Sequence, residues 1–136
     1  MASGPLDPDE APIWLAKLWN TSLSEDVIAG VDEDDCAVLF FSDSVLVATT
    51  DFLNASPIAL QLGLGDLYDL GRLLVAANLS DLCGTGAKPR ALLTAITMER
   101  GSSQEDFQRL ALGIDEEARR WKVPVVGGDT KLGAPR

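Results

Sequence analysis

The side chains best suited to chemistry in this chain are aspartates at the predicted ends of strands and helices. Most have Thr, Ser or Asn beside them, and the chain contains no histidine. Oxygen donors without nitrogen or sulfur are the ligands of Mg²⁺, which keeps several waters and is usually completed by substrate phosphates. A lone aspartate at such a place is also a common turn residue that caps its own backbone. The positions are Asp34 and Asp35, Asp51 in Thr49-Thr50-Asp51, Asp81, and Asp129 in Gly127-Gly128-Asp129-Thr130.

Asp81 lies on the apolar side of a predicted helix. Leu74 and Ala77 precede it by seven and four positions, and residues at this spacing share one helix face. An unpaired buried carboxylate is costly, so a cation, a basic residue or several hydrogen-bond donors must neutralise it. Asn78 is a further hydrogen-bonding neighbour. The alternative is that the last turn of this helix, near Gly84, already faces solvent.

The composition excludes several kinds of catalytic site. Without histidine the chain cannot form a Ser-His-Asp triad, a His-ligated zinc site or an imidazole base. Cys36 and Cys83 stand 47 positions apart, with no Cys-x-x-Cys spacing, which is typical of neither a zinc site nor a disulfide framework. We expect both to be reduced, small core residues, so chemistry is left to carboxylates, hydroxyls and amines.

Two common phosphate-binding loops are also missing. The segment Gly84-Thr85-Gly86-Ala87-Lys88-Pro89 lacks both the spacing of a P-loop and the hydroxyl residue after its lysine, and no G-x-G-x-x-G occurs. A bound nucleotide would therefore depend on bridging metal ions, with the backbone N–H groups of Gly127 and Gly128 as further donors.

The net charge of −10, concentrated in the first 86 residues, argues against nucleic-acid partners, since an acidic surface repels a phosphate backbone. The apolar runs are far shorter than the roughly 20 residues of a membrane-spanning helix. The first residues contain neither the basic nor the apolar region of a secretory signal. We expect a cytoplasmic protein that binds neither nucleic acid nor membrane.

Hydrophobic periodicity predicts three helices and four strands. A short helix over 13–20 precedes two apolar strands, 36–41 and 45–50, which a polar turn joins into a hairpin. Asp66 caps a long helix that ends at Gly84-Thr85-Gly86. A strand over 91–98 is followed by a helix that starts with a capping box at Ser102 or Ser103 and continues to about residue 121. The last strand, 123–126, leads into a turn at 127–130.

This order predicts an α+β domain built on a mixed four-stranded sheet with helices on one face. We divide the chain into an N-terminal arm with a short helix, 1–29, and a domain over 30–136. Few residues follow the last predicted strand. We therefore expect this domain to be incomplete at its C-terminus and a second domain to be absent.

Five short blocks, in this order and spacing, resemble the aminoimidazole ribonucleotide synthetase superfamily. The similarity extends from about residue 30 to 134, and within the superfamily it is greatest to the thiamine-monophosphate kinase branch. The blocks are Asp34-Asp35-Cys36-Ala37-Val38-Leu39, Thr49-Thr50-Asp51, Ala77-Asn78-Leu79-Ser80-Asp81-Leu82, Gly86-Ala87-Lys88-Pro89 and Gly127-Gly128-Asp129-Thr130.

The resemblance implies the ferredoxin-like, ATP-binding N-terminal domain of a two-domain enzyme that transfers a phosphoryl group from ATP to a small phosphorylated acceptor. It also implies that such domains pair through their sheets, with ATP and Mg²⁺ ions near the interface. Gly128 and Asp129 would lie near the nucleotide phosphates, and no catalytic residue is assigned. The Mg²⁺ ligands that the resemblance implies are Asp35, Thr49, Thr50, Asp51, Asp81 and Asp129.

Some positions depart from the kinase pattern. Glu33 replaces a glycine before the Asp-Asp pair, and the segment after Asp51 lacks the substrate-contacting histidine of the kinases. Thr50-Asp51-Phe52 with Pro57 is similar to selenophosphate synthetase, and Asp129-Thr130-Lys131 to the hydrogenase-maturation carbamoyl dehydratase. A further alternative is a non-catalytic domain that dimerises and binds nucleotide without turnover.

The predicted hairpin and the third strand are apolar along their whole length, so two helices would leave a sheet face uncovered. We expect a homodimer through that sheet face.

Overall fold

The computed structural model describes residue 7, residues 9–53 and residues 57–133. The chain forms two compact units. The first contains the chain up to Thr50 together with Asp81–Ala87, and the second contains Asp51–Ser80 and the chain from Lys88 onward. One long helix passes from the second unit into the first.

The first unit is built on an antiparallel three-stranded sheet in the order β1-β2-β3. Helix α1, Ala11–Trp19, and a 3₁₀ turn precede it, and the strands are β1, Val27–Ala29, β2, Ala37–Phe41, and β3, Ser44–Ala48. The predicted hairpin is confirmed. Its register pairs Ala37 with Ala48 and Phe41 with Ser44, and Ser42 in the two-residue turn has φ 60°, as primed hairpin turns require.

Strand β1 has no counterpart among the predicted strands. It lies in a polar, acidic segment, and Asn20 on the preceding 3₁₀ turn fixes the chain after it. The Asn20 amide donates to the Val31 carbonyl over 3.0 Å and accepts from the Val31 N–H over 3.1 Å. These two hydrogen bonds join residues 11 positions apart, so hydrophobic periodicity within a short window of sequence cannot predict them.

The second unit contains α2, Ile58–Gln61, the part of α3, Leu67–Gly84, up to Ser80, and then β4, Leu92–Met98, α4, Gln104–Arg120, and β5, Val125–Leu132. Strands β4 and β5 are parallel and are joined through α4. The α+β class is thus correct, whereas the single four-stranded mixed sheet was wrong, because the described residues form one sheet of three strands and one of two. Apolar patterning predicts strands but does not determine which of them pair.

The predicted turn at 127–130 was also wrong, because these residues lie inside β5. Gly128 pairs with Thr94 in the parallel ladder and has φ 153°. A Cβ at Gly128 would overlap the Thr94 carbonyl oxygen. The glycine therefore permits two strands to approach closely, where the sequence pattern indicated the end of a strand.

Helices α3 and α4 begin at the predicted capping residues, α3 ends where predicted, and the two backbones are in close contact. Asp66 Oδ1 accepts from the Tyr68 N–H over 2.8 Å at the start of α3, and α3 ends at Gly84. Ser103 and Asp106 form a capping box at the start of α4. A Cβ at Gly71 would overlap the Leu110 carbonyl, so only a residue without a side chain fits there. Side chains buried in this unit are Val75, Leu79, Met98, Leu110, Ile114, Ala118 and Val123.

A buried carboxylate joins α3 to α4. Glu117 is only 5% exposed, and it accepts from Arg72 Nε over 2.8 Å and from Trp121 Nε1 over 2.9 Å. The Arg72 hydrogen bond lowers the pKa of Glu117 against the opposing effect of burial. The ionised carboxylate therefore stabilises the packing of the two helices.

Within the described part of the chain, no helix combines the length and the hydropathy that crossing a membrane requires. The cytoplasmic location, the domain boundary near residue 30 and the placement of helices on one face stay predictions. The remainder of the N-terminal arm, residues 1–6 and 8, lies outside the described residues.

Candidate functional site

Thr49 and Asp81 are hydrogen-bonded in the first unit. Thr49 follows β3, and Asp81 lies in the last turns of α3. The Thr49 hydroxyl is 3.0 Å from Asp81 Oδ2 and 3.3 Å from the main-chain carbonyl oxygen of Asp35. Three chain segments thus bring a carboxylate, a hydroxyl and a carbonyl oxygen together, all of them donors of the kind that Mg²⁺ takes.

Asp81 is half-buried, which agrees with its predicted position on the inner side of the helix. Its carboxylate has a hydrogen-bond donor in Thr49. That donor lies 32 positions away in sequence, and neutralisation of the carboxylate by a cation, a basic residue or several donors stays a prediction. Sequence spacing alone could not identify that partner.

A buried thiol lies beneath this cluster. Cys36 is 1% exposed, and burial raises the pKa of its thiol, although hydrogen bonds from Thr49 and Thr85 act in the opposite direction. Cys36 is therefore the reduced, small core residue that was expected. Cys83 is also a free cysteine, but it is exposed, so the expectation of a core position was wrong there: it lies one turn after the buried Leu79, at the end of α3.

The other acidic residues of this region are exposed. Asp34 Oδ1 accepts from the Cys36 N–H over 2.9 Å, so Asp34 is the self-capping turn residue of the alternative interpretation. The Asp35 side chain and Thr50 are exposed to solvent. Their oxygens are available to a ligand approaching from outside.

Asp51 belongs to the second unit, where Asn78 of α3 holds its backbone. The Asp51 N–H donates to Asn78 Oδ1 over 3.0 Å, and Asn78 Nδ2 donates to the Leu74 carbonyl over 3.0 Å. The predicted position of Asp51 at the end of a strand was wrong by three residues, since β3 ends at Ala48. Sequence spacing indicated that Asn78 is a neighbour of Asp81, but it did not predict the hydrogen bond between Asn78 and Asp51.

Asp129 lies in the middle of β5, opposite Ala95, instead of after the strand. Its Oδ2 is 3.0 Å from Lys131 Nζ, and both side chains are mostly exposed. Gly128, the residue before it, presents bare backbone. A lysine two positions along the strand was not included among the predicted site residues.

The chemistry of these donors suits Mg²⁺. No three Asp, Glu or Cys side chains among the described residues converge as a preformed metal site. Mg²⁺ seldom uses such an all-protein cage, because it is commonly held by one or two carboxylates together with waters and substrate phosphates. Exposed Asp35, Asp51 and Asp129 are suited to that kind of binding.

The fold and the five sequence blocks define a class of domain, and comparison with known proteins identifies that class. Residues 33–136 match the family model described as AIR synthase related protein, N-terminal domain. The chain belongs to this family. The recognised superfamily is thereby confirmed.

Among curated relatives, the chain is 36% identical over 115 residues to thiamine-monophosphate kinase of Methanocaldococcus jannaschii, which covers 81% of this chain and 34% of that protein. It is 31% identical over 99 residues to the carbamoyl dehydratase HypE of Cupriavidus necator, covering 73% of this chain and 27% of that protein. The chain thus spans about a third of the length of the curated relatives that it matches.

A solved structure described as AaThiL complexed with AMPPCP and TMP has the same fold. The TM-score is 0.69 over 99% of this chain and 41% of that one, with 19% sequence identity. The similarity of the two folds agrees with the family assignment.

Proposed function

We propose that this chain is the ATP- and Mg²⁺-binding part of a phosphoryl-transfer enzyme similar to thiamine-monophosphate kinase. The observation that carries the proposal is the convergence of Thr49, Asp81 and the Asp35 carbonyl, since this places hard oxygen donors from three segments within hydrogen-bond distance of one hydroxyl. Membership of the AIR synthase related family supports it, as does the kinase among its relatives.

The proposed ligands are those that the family resemblance implies. Gly128 and Asp129 lie near the nucleotide phosphates in this proposal. Bound Mg²⁺ would neutralise charge on the transferred phosphoryl group, as it does in other phosphoryl-transfer enzymes. The Mg²⁺ ligands are Asp35, Thr49, Thr50, Asp51, Asp81 and Asp129.

The chain itself positions these groups. Thr49 restrains the Asp81 carboxylate, and Asn78 restrains the backbone of Asp51. Gly128 permits the close approach of Thr94 on β4, and this pairing fixes the position of the adjacent Asp129 on β5. Positioning of this kind, with electrostatic stabilisation, is the main contribution that proteins make to phosphoryl transfer.

The acceptor is a small phosphorylated molecule in this proposal, and its identity is left open. AaThiL was solved with TMP, but the segment after Asp51 contains no histidine. Because the chain spans about a third of its curated relatives, we assign turnover to a longer parent protein. We expect the 136-residue chain to bind nucleotide without turning it over.

We further propose a homodimer formed through a sheet face. Phe40 on β2 and Val45 on β3 are directly opposite each other, and they are 56% and 52% exposed. Side chains alternate along a strand, so Leu46 and Phe41, which are also exposed, lie on the opposite face, and the face proposed here is the one that carries Phe40 and Val45. Such an apolar surface is typical of an interaction site.

Titration calorimetry with a non-hydrolysable ATP analogue, with and without Mg²⁺, tests nucleotide binding. We expect heat that depends on Mg²⁺ in the unmodified chain and its loss in Asp81→Asn. Asp43→Asn removes the same charge from the exposed hairpin turn and serves as the control. Absence of heat at every Mg²⁺ concentration would refute the proposal.

A further inference from the structure

Asp129 and Lys131 form an ion pair on one face of β5. Lys131 Nζ lies 3.0 Å from Asp129 Oδ2, and the two side chains are 73% and 65% exposed, in that order. Residues two apart on a strand share a face, so the two side chains project on the same side of the parallel pair. Among the ion pairs seen in the described residues, this is the one that engages a lysine.

The surroundings of this pair are small and open. Ala95 is opposite Asp129 and Thr97 is opposite Lys131, and both of these β4 residues are exposed. The alternate residues Thr130 and Leu132 line a cavity with Phe107 of α4. The ion pair therefore projects from the sheet face away from that cavity, where small neighbours leave it accessible.

We propose that Lys131 couples Mg²⁺ binding to nucleotide binding by occupying Asp129 until a triphosphate is present. The inference rests on the proposed function, in which Asp129 is a metal ligand, and it adds a residue to which the family resemblance gave no role. Mg²⁺ alone must displace or tolerate an ammonium about 3 Å from the carboxylate it needs, which like-charge repulsion opposes.

The polyphosphate of the nucleotide removes this opposition of Lys131 to Mg²⁺ binding at Asp129. When its anionic oxygens lie near Asp129, the Lys131 ammonium can leave the carboxylate and bind phosphate, because a lysine is a flexible point charge with three donors. The carboxylate is then released to the metal. Each ligand thus favours the other, and the coupling is reciprocal.

A thermodynamic cycle on the 136-residue chain tests this role. The affinities of Mg²⁺ alone, of a non-hydrolysable ATP analogue alone, and of each in the presence of the other are measured by calorimetry. In Lys131→Gln we expect Mg²⁺ alone to bind about two- to fivefold more tightly, the range that loss of an exposed ion pair gives. The metal-free analogue should bind more weakly, so that the coupling factor falls.

Two further variants sharpen the measurement. Lys131→Arg keeps the charge and should keep most of the coupling. Lys17→Gln removes a lysine charge from the exposed face of α1 and should leave all four affinities unchanged, which separates the local pair from net charge.

The outcomes are distinct. If the unmodified chain binds analogue and Mg²⁺ cooperatively and Lys131→Gln retains the full coupling factor, the role of Lys131 is refuted while the proposed function stands. If neither the unmodified chain nor any variant binds the analogue with Mg²⁺, the proposed function fails and the role of Lys131 falls with it. A raised affinity for Mg²⁺ with an unchanged affinity for the analogue would refute the transfer of the ammonium to phosphate.

Discussion

The hydroxyl of Thr49 lies 3.0 Å from Asp81 Oδ2, although 32 residues separate the two in sequence. The bond joins the end of a β-hairpin to the last turns of α3. A hydroxyl has one proton to donate, and the ionised carboxylate is a stronger acceptor than the Asp35 carbonyl at 3.3 Å. Thr49 therefore restrains Asp81 while its lone pairs remain available to a cation.

Replacing Thr49 by valine should weaken Mg²⁺-dependent nucleotide binding by about tenfold or more, because hydrogen bonds to charged groups contribute about 1.5–3 kcal/mol. Valine is similar in shape, so little change in packing is expected. Thr49→Ser keeps the hydroxyl and should restore most of the affinity. Calorimetry of the two variants side by side makes the comparison, and equal affinities would contradict the role of this hydroxyl.

Asn78→Ala should weaken the affinity for Mg²⁺ about three- to tenfold, since it removes the acceptor of the Asp51 N–H. Alanine is the stronger helix former, so the melting temperature should not fall, whereas a purely structural role would lower it. Ser80→Ala, at an exposed position on the same helix, is the matched control. An unchanged Mg²⁺ affinity in Asn78→Ala would argue against positioning of Asp51.

Glu117→Gln should destabilise the chain by about 1–3 kcal/mol, because it leaves Arg72 without its charged partner. The folded-state pKa of Glu117 is lowered. Its contribution to stability is therefore complete above the unfolded-state pKa of about 4.3 and is lost as the pH falls through the lower folded-state pKa.

Urea unfolding at a series of pH values measures this dependence. The difference in unfolding free energy between Glu117→Gln and the unmodified chain should be constant near neutral pH and shrink below about pH 4. Glu25→Gln, in an exposed turn, should differ from the unmodified chain by no more than about 0.5 kcal/mol throughout. A difference for Glu117→Gln that grows in acid would contradict the assignment.

Phe40→Glu should shift the proposed homodimer to monomer by placing a charge beside Val45 on the exposed hairpin face. Sedimentation at micromolar concentration measures the result. Ile58→Glu makes a similar change at a position on α2 that is 73% exposed and should leave the dimer intact. A single 14.5 kDa species for the unmodified chain would refute the dimer.

Elements whose signals are local were predicted well. Helix α4 combines a capping box at Ser103 with apolar residues at three- and four-residue steps, and α3 begins after the Asp66 cap. The hairpin of β2 and β3 follows from two apolar runs, rich in β-branched and aromatic residues, around a two-residue turn. In each case neighbouring residues supply both the pattern and the capping or turn residues.

Features that depend on distant partners were not predictable. The pairing of β4 with β5 places Gly128 against Thr94 and keeps Asp129 inside a strand, where the glycine pair had indicated a turn. Asn78 bonds to Asp51 and not to its neighbour Asp81. No spacing rule relates residues that only folding brings together.

The sequence by itself predicted the chemistry of the proposed site, which uses oxygen ligands without histidine, together with two capped helices and the family to which the chain belongs. These properties reside in residue types and short spacings, which are independent of long-range packing. Only the tertiary structure decided which strands pair, that Thr49 restrains Asp81, and that Lys131 faces Asp129. Such contacts depend on backbone paths and strand register, and these are set when distant segments bury their apolar faces together.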